Sequence, residues 1–219
     1  MIKVEVFDFL ADLKEFNTRE WFKANTGLYE LSKVVFNNAV QDIIHGIASF
    51  DNTISALVPN DCTFRIYRDI RFSHDKTPYK PNMGAYMAKG GRKSKYAGYY
   101  FHIEPNNSFL AGGLYIPEAD ILKKVRTAIM DNIDEFLQII NEPEFVKYFT
   151  EVDGEKLKNV PKGFPKDWQY AEFLKLKSFN LMYYITNEQL MQADAKTFVL
   201  SIFQKMYKFN HFLNQIIDS

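Results

Sequence analysis

The sequence has few of the features that would reveal a function directly. It contains one cysteine, Cys62, so an intrachain disulfide is excluded, as is typical of a protein from a reducing compartment. No window approaches the roughly eighteen apolar residues of a membrane span. The N-terminus lacks the basic stretch and apolar run of a secretory signal. These absences predict a soluble, cytoplasmic protein with no membrane association.

Sequence motifs for common chemistries are also missing. The four histidines show no H-x-x-x-H or Cys/His spacing, so we predict no metal site. No G-x-G-x-x-G or G-x-S-x-G motif is present, and "KGGRKS" (89–94) departs from a phosphate loop at Arg92. We therefore predict no cofactor, and the motifs of serine or cysteine hydrolases give no support for an enzyme.

Net charge is absent overall but not locally. The 27 Lys and Arg residues balance the 27 Asp and Glu residues, which argues against a polyanion as the main partner. Between Thr63 and Lys95, however, nine Lys and Arg residues accompany only two Asp residues. This segment carries +7 and the remainder of the chain −7, so we expect a positive patch on an acidic body.

The remaining composition is that of a globular protein with a large core. Hydrophobic residues make up 47% of the 219 residues, and 20 Phe and 13 Tyr supply large rings. We predict one α+β domain over 1–219, with a central antiparallel sheet packed against N-terminal and C-terminal helices. Its parts are a helical lead-in (1–60), a sheet core with a cationic loop (61–117) and a mainly helical remainder (118–219), with a possible extra strand near 174–185.

Local signals predict several of these helices. "NTRE" (17–20) has the form of a capping box with Asn17 as the N-cap, and "TNEQ" (186–189) has the same form. A longer helix follows the first box, and its apolar residues recur at helical spacing. The stripe predicted to face the core consists of Leu28, Leu31, Val35, Ala39, Ile43 and Ile47.

Alternating apolar residues predict the strands. Phe64–Arg68 alternates, Met83–Met87 is short and mixed, and residues 99–104 and 108–115 flank the turn "NNS" as a hairpin. Strand alternation then separates two faces. We expect Phe64, Ile66, Phe101 and Ile103 to face the helices, and Arg65, Tyr67, Tyr100, His102 and Glu104 to face the other side.

The second face is the candidate site. The neighbouring "AGG" (111–113) lacks large side chains, so it would let a ligand approach, and the cationic loop would overhang it. Arginine forks and lysine charges match carboxylate or phosphate groups. The predicted ligand-binding residues are Arg65, Tyr67, Arg68, Arg71, Lys76, Lys80, His102 and Glu104. Strict alternation points Arg68 toward the core, so either the strand ends by Tyr67 or Arg68 is buried and must be paired.

The pattern leaves several functions open. We favour binding of a small anionic or phosphorylated ligand. A nucleic-acid-binding module, a protein-interaction module, and a loop whose cations only pair with acidic residues of the chain are alternatives. His102 and Glu104 could also serve a hydrolase or transferase as base and orienting group, or Glu104 could form a structural ion pair with Arg65. The sequence does not predict the oligomeric state.

Four stretches resemble the DUF2461 family. They are "NTREWF" (17–22), "DCTFRIYRDIRFSHDKTPYKPNMGAYM" (61–87), "GYYFHIEPNNSFLAGGLYIP" (98–117) and "FLKLKSF" (173–179). The resemblance covers nearly the whole chain and implies a single-domain protein of a family of conserved proteins of unknown function. It implies no reaction, cofactor or catalytic residue.

Overall fold

A computed structural model describes residues 1–71 and 74–219, so Phe72 and Ser73 of the predicted cationic loop lie outside the described residues. Within this part of the chain there are four strands and ten α-helices. The strands are β1 (Met83–Met87), β2 (Gly98–Ile103), β3 (Phe109–Leu114) and β4 (Phe179–Tyr184). The helices are α1 (Val4–Glu15), α2 (Arg19–Ala24), α3 (Thr26–Ile47), α4 (Pro59–Cys62), α5 (Ala119–Asp131), α6 (Ile133–Ile140), α7 (Pro143–Tyr148), α8 (Ala171–Lys175), α9 (Asn187–Met191) and α10 (Ala195–Asp218).

The architecture is the predicted α+β arrangement. The strands form one antiparallel sheet in the order β1-β2-β3-β4, with helices before and after it. β2 and β3 form the expected hairpin, and β4 returns to the edge of β3 after a long helical excursion. None of the helices in the described residues has the length and apolar character needed to cross a membrane.

One face of the sheet is covered by α3 and α10. Phe36 of α3 stacks on Phe101 at a centroid distance of 5.6 Å, as expected for a ring on the helix-facing side of β2. Phe203 of α10 meets Tyr99 edge to face at 5.6 Å. Because these rings are almost completely buried, they supply much of the apolar area that stabilises the contact between helices and sheet.

The predicted stripe of α3 is wrong in its first half. Leu28 and Leu31 are exposed, Leu31 to 66%, whereas Phe36 and Val40 are buried with Ile43 and Ile47. Two adjacent apolar stripes on this helix have the same spacing of three to four residues. Packing against α1 and α10 selects the stripe that contains Phe36.

One of the two predicted capping boxes is confirmed. Thr186 accepts from the Gln189 backbone at 3.2 Å, and the Gln189 side chain accepts from the Thr186 backbone at 2.9 Å. At "NTRE", however, the N-cap of α2 is Thr18 rather than Asn17, and it accepts from Trp21 N at 3.1 Å. Asn17 is not the cap because its side chain bonds to the distant backbone of Tyr79.

The strand predicted at Phe64–Arg68 does not form. This segment has only isolated bridges, between Thr63 and Ala85 and between Tyr67 and Tyr79. Without a continuous ladder, strict alternation is lost. Ile66 is buried as expected, but Phe64 is 43% exposed and its ring meets Tyr100 at 6.2 Å. The prediction that Phe64 faces the helices is therefore wrong.

Candidate functional site

The face of the sheet opposite α3 and α10 bounds a cavity of about 740 Å³. Alternation in β2 brings Tyr100 and His102 to this face, while Tyr99, Phe101 and Ile103 point to the helices. Strand register aligns Tyr100 with Ala111 and His102 with Phe109, so β3 continues the same floor. The sequence pattern of β2 therefore predicts this part of the cavity correctly.

The "AGG" stretch (111–113) was predicted to let a ligand approach the sheet, but Gly112 instead makes room for a helix. A side chain at Gly112 would point to the helix face, where its Cβ would lie 2.8 Å from Met206 Sδ, so this glycine admits α10 rather than a ligand. Gly84, paired with His102, lies on the cavity side. A Cβ there would collide with the Tyr100 hydroxyl, so only glycine leaves room for this phenol.

A loop at residues 92–96 forms one wall of the cavity and is attached to two elements. The Tyr86 hydroxyl donates to Tyr96 O at 2.7 Å. From α10, Asn214 bonds both backbone groups of Ala97, accepting at 2.8 Å and donating at 3.0 Å. These contacts bring a second group of cations to the cavity, because Arg92, Lys93 and Lys95 all lie in its lining.

The segment that follows β3 contributes a strained bend to the cavity lining. Tyr115 and Ile116 line the cavity yet are largely exposed. Ile116 has a φ of +47°, which is unfavourable for a β-branched residue, and its backbone N–H donates to Ser178 Oγ at 2.9 Å. Backbone strain of this kind is most common at functional sites, and here it places an aromatic side chain at the entrance.

Lys80 is the most unusual cation of the lining. Burial lowers the pKa of its ammonium group, and the nearby Arg65 and Arg68 lower it further. Among the described residues no carboxylate forms an ion pair with it, and its Nζ lies 5.9 Å from the centre of the Phe64 ring. A partly desolvated cation without a counter-charge is unfavourable, so this position favours binding of an anion.

His102 is buried and takes part in a chain of polar contacts. Its Nδ1 lies 3.0 Å from the Tyr100 hydroxyl, its Nε2 lies 3.4 Å from Glu104 Oε2, and its ring stacks on Phe109 at 4.4 Å. Burial lowers the pKa of His102, and the hydrogen bond to Glu104 opposes that shift. The imidazole is therefore neutral at pH 7 and can accept a proton.

The structure brings only part of the predicted ligand-binding set together. Lys80 and His102 line the cavity, and Glu104 lies behind His102. The other five predicted residues lie outside the lining. Arg65 is exposed, and Tyr67 packs against Phe22 and Tyr79.

The other three cations of the predicted set bond within the cationic segment. Arg68 Nη1 bonds Asp75 Oδ2 at 2.6 Å, Arg71 bonds the carboxylate of Asp69, and Lys76 donates to Ile70 O at 2.9 Å. Arg68 is therefore paired, but it lies in a segment that forms no strand and its side chain stays 28% exposed, so the prediction that alternation points it into the core is wrong. Its Nε is buried and has no hydrogen-bond partner among the described residues.

The sequence prediction missed the cations at residues 92–95 as site residues. Their charge was visible within the +7 segment, but nothing local indicates that the loop folds back over the sheet. Tyr100 was assigned to the correct face but not to the site.

Glu118 and Asp153 also line the cavity, so its charged groups are four cations and two acids. In residues 1–71 and 74–219, no three His, Cys, Asp or Glu side chains are grouped as metal ligands.

Comparisons with known proteins give one match. Neither the curated proteins nor the solved structures contain a match to this chain. A family model described as a conserved hypothetical protein matches residues 5–212, which is nearly the whole chain. The chain therefore belongs to the DUF2461 family.

Proposed function

We propose that the protein binds a small anionic ligand, such as a phosphorylated or carboxylated molecule, in the cavity on the open face of the sheet. The observation that supports this most directly is Lys80, a partly desolvated ammonium group with no carboxylate partner among the described residues. An anion beside it would replace the lost hydration and offset the repulsion from Arg65 and Arg68.

The remainder of the lining suits a ligand with one charged end. Arg92, Lys93 and Lys95 add positive charge at one wall. The lining also contains aromatic and apolar residues, with Phe109 and Met182 among them. Small-molecule sites commonly combine an apolar lining with a few well-placed polar groups. Lys93 and Lys95 are exposed, but Lys80 is partly desolvated within the concavity, and one such ammonium group suits a small anion better than a nucleic acid.

We also propose that the protein works in the cytoplasm. Its single cysteine, Cys62, is buried, and burial raises the pKa of its thiol to about 12. A thiol in this state is a structural residue and not a redox group.

Thermal unfolding in the presence of defined anions tests the binding proposal. The panel is inorganic phosphate, pyrophosphate, citrate and AMP, each compared with sodium chloride at equal ionic strength. A ligand at 100 times its Kd stabilises a protein by about 2.7 kcal/mol. For a chain of this size that corresponds to a rise in Tm of about 5–10 °C.

Two lysine variants make the test specific. Lys80→Gln removes the cavity cation, and Lys124→Gln removes an exposed cation of α5 that lies outside the cavity lining. We expect at least one anion to raise the Tm of the wild type and of Lys124→Gln, and not that of Lys80→Gln. If no anion of the panel stabilises the wild type more than Lys80→Gln, the binding proposal is wrong.

A further inference from the structure

Three side chains at alternate positions of β2 and its C-terminal extension form a continuous hydrogen-bonded chain that leads from the cavity to Glu104 behind it. Tyr100 meets His102 Nδ1 at 3.0 Å, and His102 Nε2 meets Glu104 Oε2 at 3.4 Å. Residues two apart in a strand share one face, so the spacing brings the three groups into line. Glu104 is held in turn by Asn107, whose Nδ2 donates to Oε2 at 3.0 Å.

The direction of these hydrogen bonds follows from the chemistry of the groups. A carboxylate only accepts hydrogen bonds, so the contact with Glu104 places the imidazole proton of His102 on Nε2. Nδ1 then has a free lone pair and accepts from the Tyr100 hydroxyl. The Phe109 ring, stacked on His102 at an interplanar angle of 15°, keeps the imidazole in this orientation.

Because the Tyr100 proton points to His102, the lone pairs of the phenol oxygen are free to accept from another donor. Tyr100 and His102 both line the cavity, whereas Glu104 does not. The group that a ligand meets is therefore a hydroxyl that accepts a hydrogen bond and can pass a proton onward.

We propose that Tyr100, His102 and Glu104 form a proton relay that removes a proton from a hydroxyl group or water molecule bound beside Lys80. In this step the O–H bond of the bound group breaks and its proton joins the Tyr100 oxygen. At the same time, the Tyr100 proton moves to His102 Nδ1. The bound oxygen keeps the electron pair, and Glu104 stabilises the imidazolium as a positioning residue.

A concerted transfer avoids an unfavourable intermediate. Burial raises the pKa of Tyr100 to about 12, so a free phenolate would be costly. In the relay the phenol gains one proton as it loses another, and no phenolate accumulates. The suitable ligand is therefore an anion that carries a hydroxyl group or holds a water molecule next to its charge.

The relay is coupled to the anion site, and this part of the inference rests on the proposed function. The charged groups near His102 are Glu104, which raises its pKa, and Lys80, which lowers it. Lys14 of α1 lies 3.9 Å from Glu104, and the residue that β3 contributes, Phe109, is apolar. An anion on Lys80 cancels the positive charge, so binding makes His102 a stronger base.

Nuclear magnetic resonance of ¹⁵N-histidine-labelled protein tests the relay without any ligand. The signals of His102 are assigned by comparison with His102→Gln. We expect the Nε2–H tautomer in the wild type, and a change in the Nδ1 resonance in Tyr100→Phe, which removes the hydroxyl and keeps the ring. An Nδ1–H tautomer, or an Nδ1 resonance identical in wild type and Tyr100→Phe, would overturn the relay.

Titration of the same signals tests the coupling to Lys80. Without added anion, we expect the pKa of His102 to be higher in Lys80→Gln than in the wild type and lower in Glu104→Gln. Equal values in wild type and Lys80→Gln would overturn the coupling. Because no anion is present, this result is independent of whether the cavity binds one.

A second titration is done in the presence of sulfate, which keeps its charge across the pH range. We expect sulfate to raise the pKa of His102 in the wild type and not in Lys80→Gln. A sulfate-induced rise of equal size in both proteins would also overturn the coupling.

Discussion

Asn17 and Tyr79 are joined by a reciprocal hydrogen bond between one side chain and one backbone. Asn17 Nδ2 donates to Tyr79 O at 3.0 Å, and Tyr79 N donates to Asn17 Oδ1 at 3.1 Å. The Tyr79 ring also stacks on Phe22 of α2 at 4.0 Å. These contacts attach the residue next to Lys80 to the N-terminal helices. They therefore fix the position of the backbone from which the Lys80 side chain extends.

We expect Asn17→Ala to destabilise the protein by about 1–3 kcal/mol, because two backbone groups of a buried residue lose their partners. The free energy of unfolding in urea measures this loss. The control is Asn38→Ala on the exposed side of α3, which should change stability by less than about 0.5 kcal/mol. Equal stability of the two variants would show that the Asn17 contacts contribute little.

Gly112→Ala tests the close packing of α10 on β3. The added Cβ would lie 2.8 Å from Met206 Sδ and 3.2 Å from Met206 Cβ, so the methionine or the helix must move. Overpacking of this kind costs about 1–3 kcal/mol, and a matching fall in Tm should be measured. Gly27→Ala is the matched control, since nothing lies within 4 Å of a Cβ at that position in α3. A Tm for Gly112→Ala at or above that of the wild type would contradict the packing argument.

Lys80→Met should stabilise the protein in the absence of ligand. Lys80 is partly desolvated and lies near Arg65 and Arg68. Removing its charge therefore removes both the desolvation cost and the repulsion from the two arginines. Because water still screens this group, we expect a gain of only about 0.5–1 kcal/mol in unfolding free energy. Such a gain is the expected consequence of placing an uncompensated charge in the site that we propose for an anion.

The salt dependence of that gain separates charge from hydrophobic packing. A gain from relieved repulsion should shrink as sodium chloride rises from about 0.05 M to about 1 M, since the screening length shortens. Lys124→Met, on an exposed part of α5, controls for the added apolar side chain. If Lys80→Met is less stable than the wild type at low salt, the ammonium group is better compensated than the geometry indicates.

His102 should make the stability of the protein depend on pH. Burial lowers its pKa below the value of about 6.5 found in an unfolded chain. Between these two pKa values the unfolded chain binds more protons, so the unfolding free energy falls as the pH drops below about 6.5. Urea unfolding from about pH 5 to pH 8 should show this slope in the wild type and a weaker slope in His102→Gln.

The exposed His45 of α3 provides the control for that measurement. His45→Gln removes a histidine whose ring is hydrogen-bonded to Gln41 on the surface of the same helix. We expect its pH profile to follow the wild type. If His45→Gln and His102→Gln flatten the profile equally, the slope does not come from the buried imidazole.

Local patterns were enough to predict most of the fold and which side chains of β2 line the cavity. The alternation of β2 correctly placed Phe101 and Ile103 against the helices and Tyr100 and His102 on the open face. The hairpin and the capping box at Thr186 were also correct. Each of these features depends on residues within a few positions of one another, where backbone periodicity and short-range hydrogen bonds decide the outcome.

The sequence by itself determined that a strongly cationic segment adjoins an antiparallel sheet with one polar face. Only the tertiary structure decided which cations reach that face. Arg68 bonds Asp75 and Lys76 bonds Ile70 within the segment, while Lys80 and the 92–96 loop turn toward the cavity. The physical reason is that the direction of a side chain outside a continuous ladder depends on where the chain returns and on which partner is near. Both depend on contacts between residues far apart in the sequence, which neither the charge count nor the alternation of apolar residues can predict.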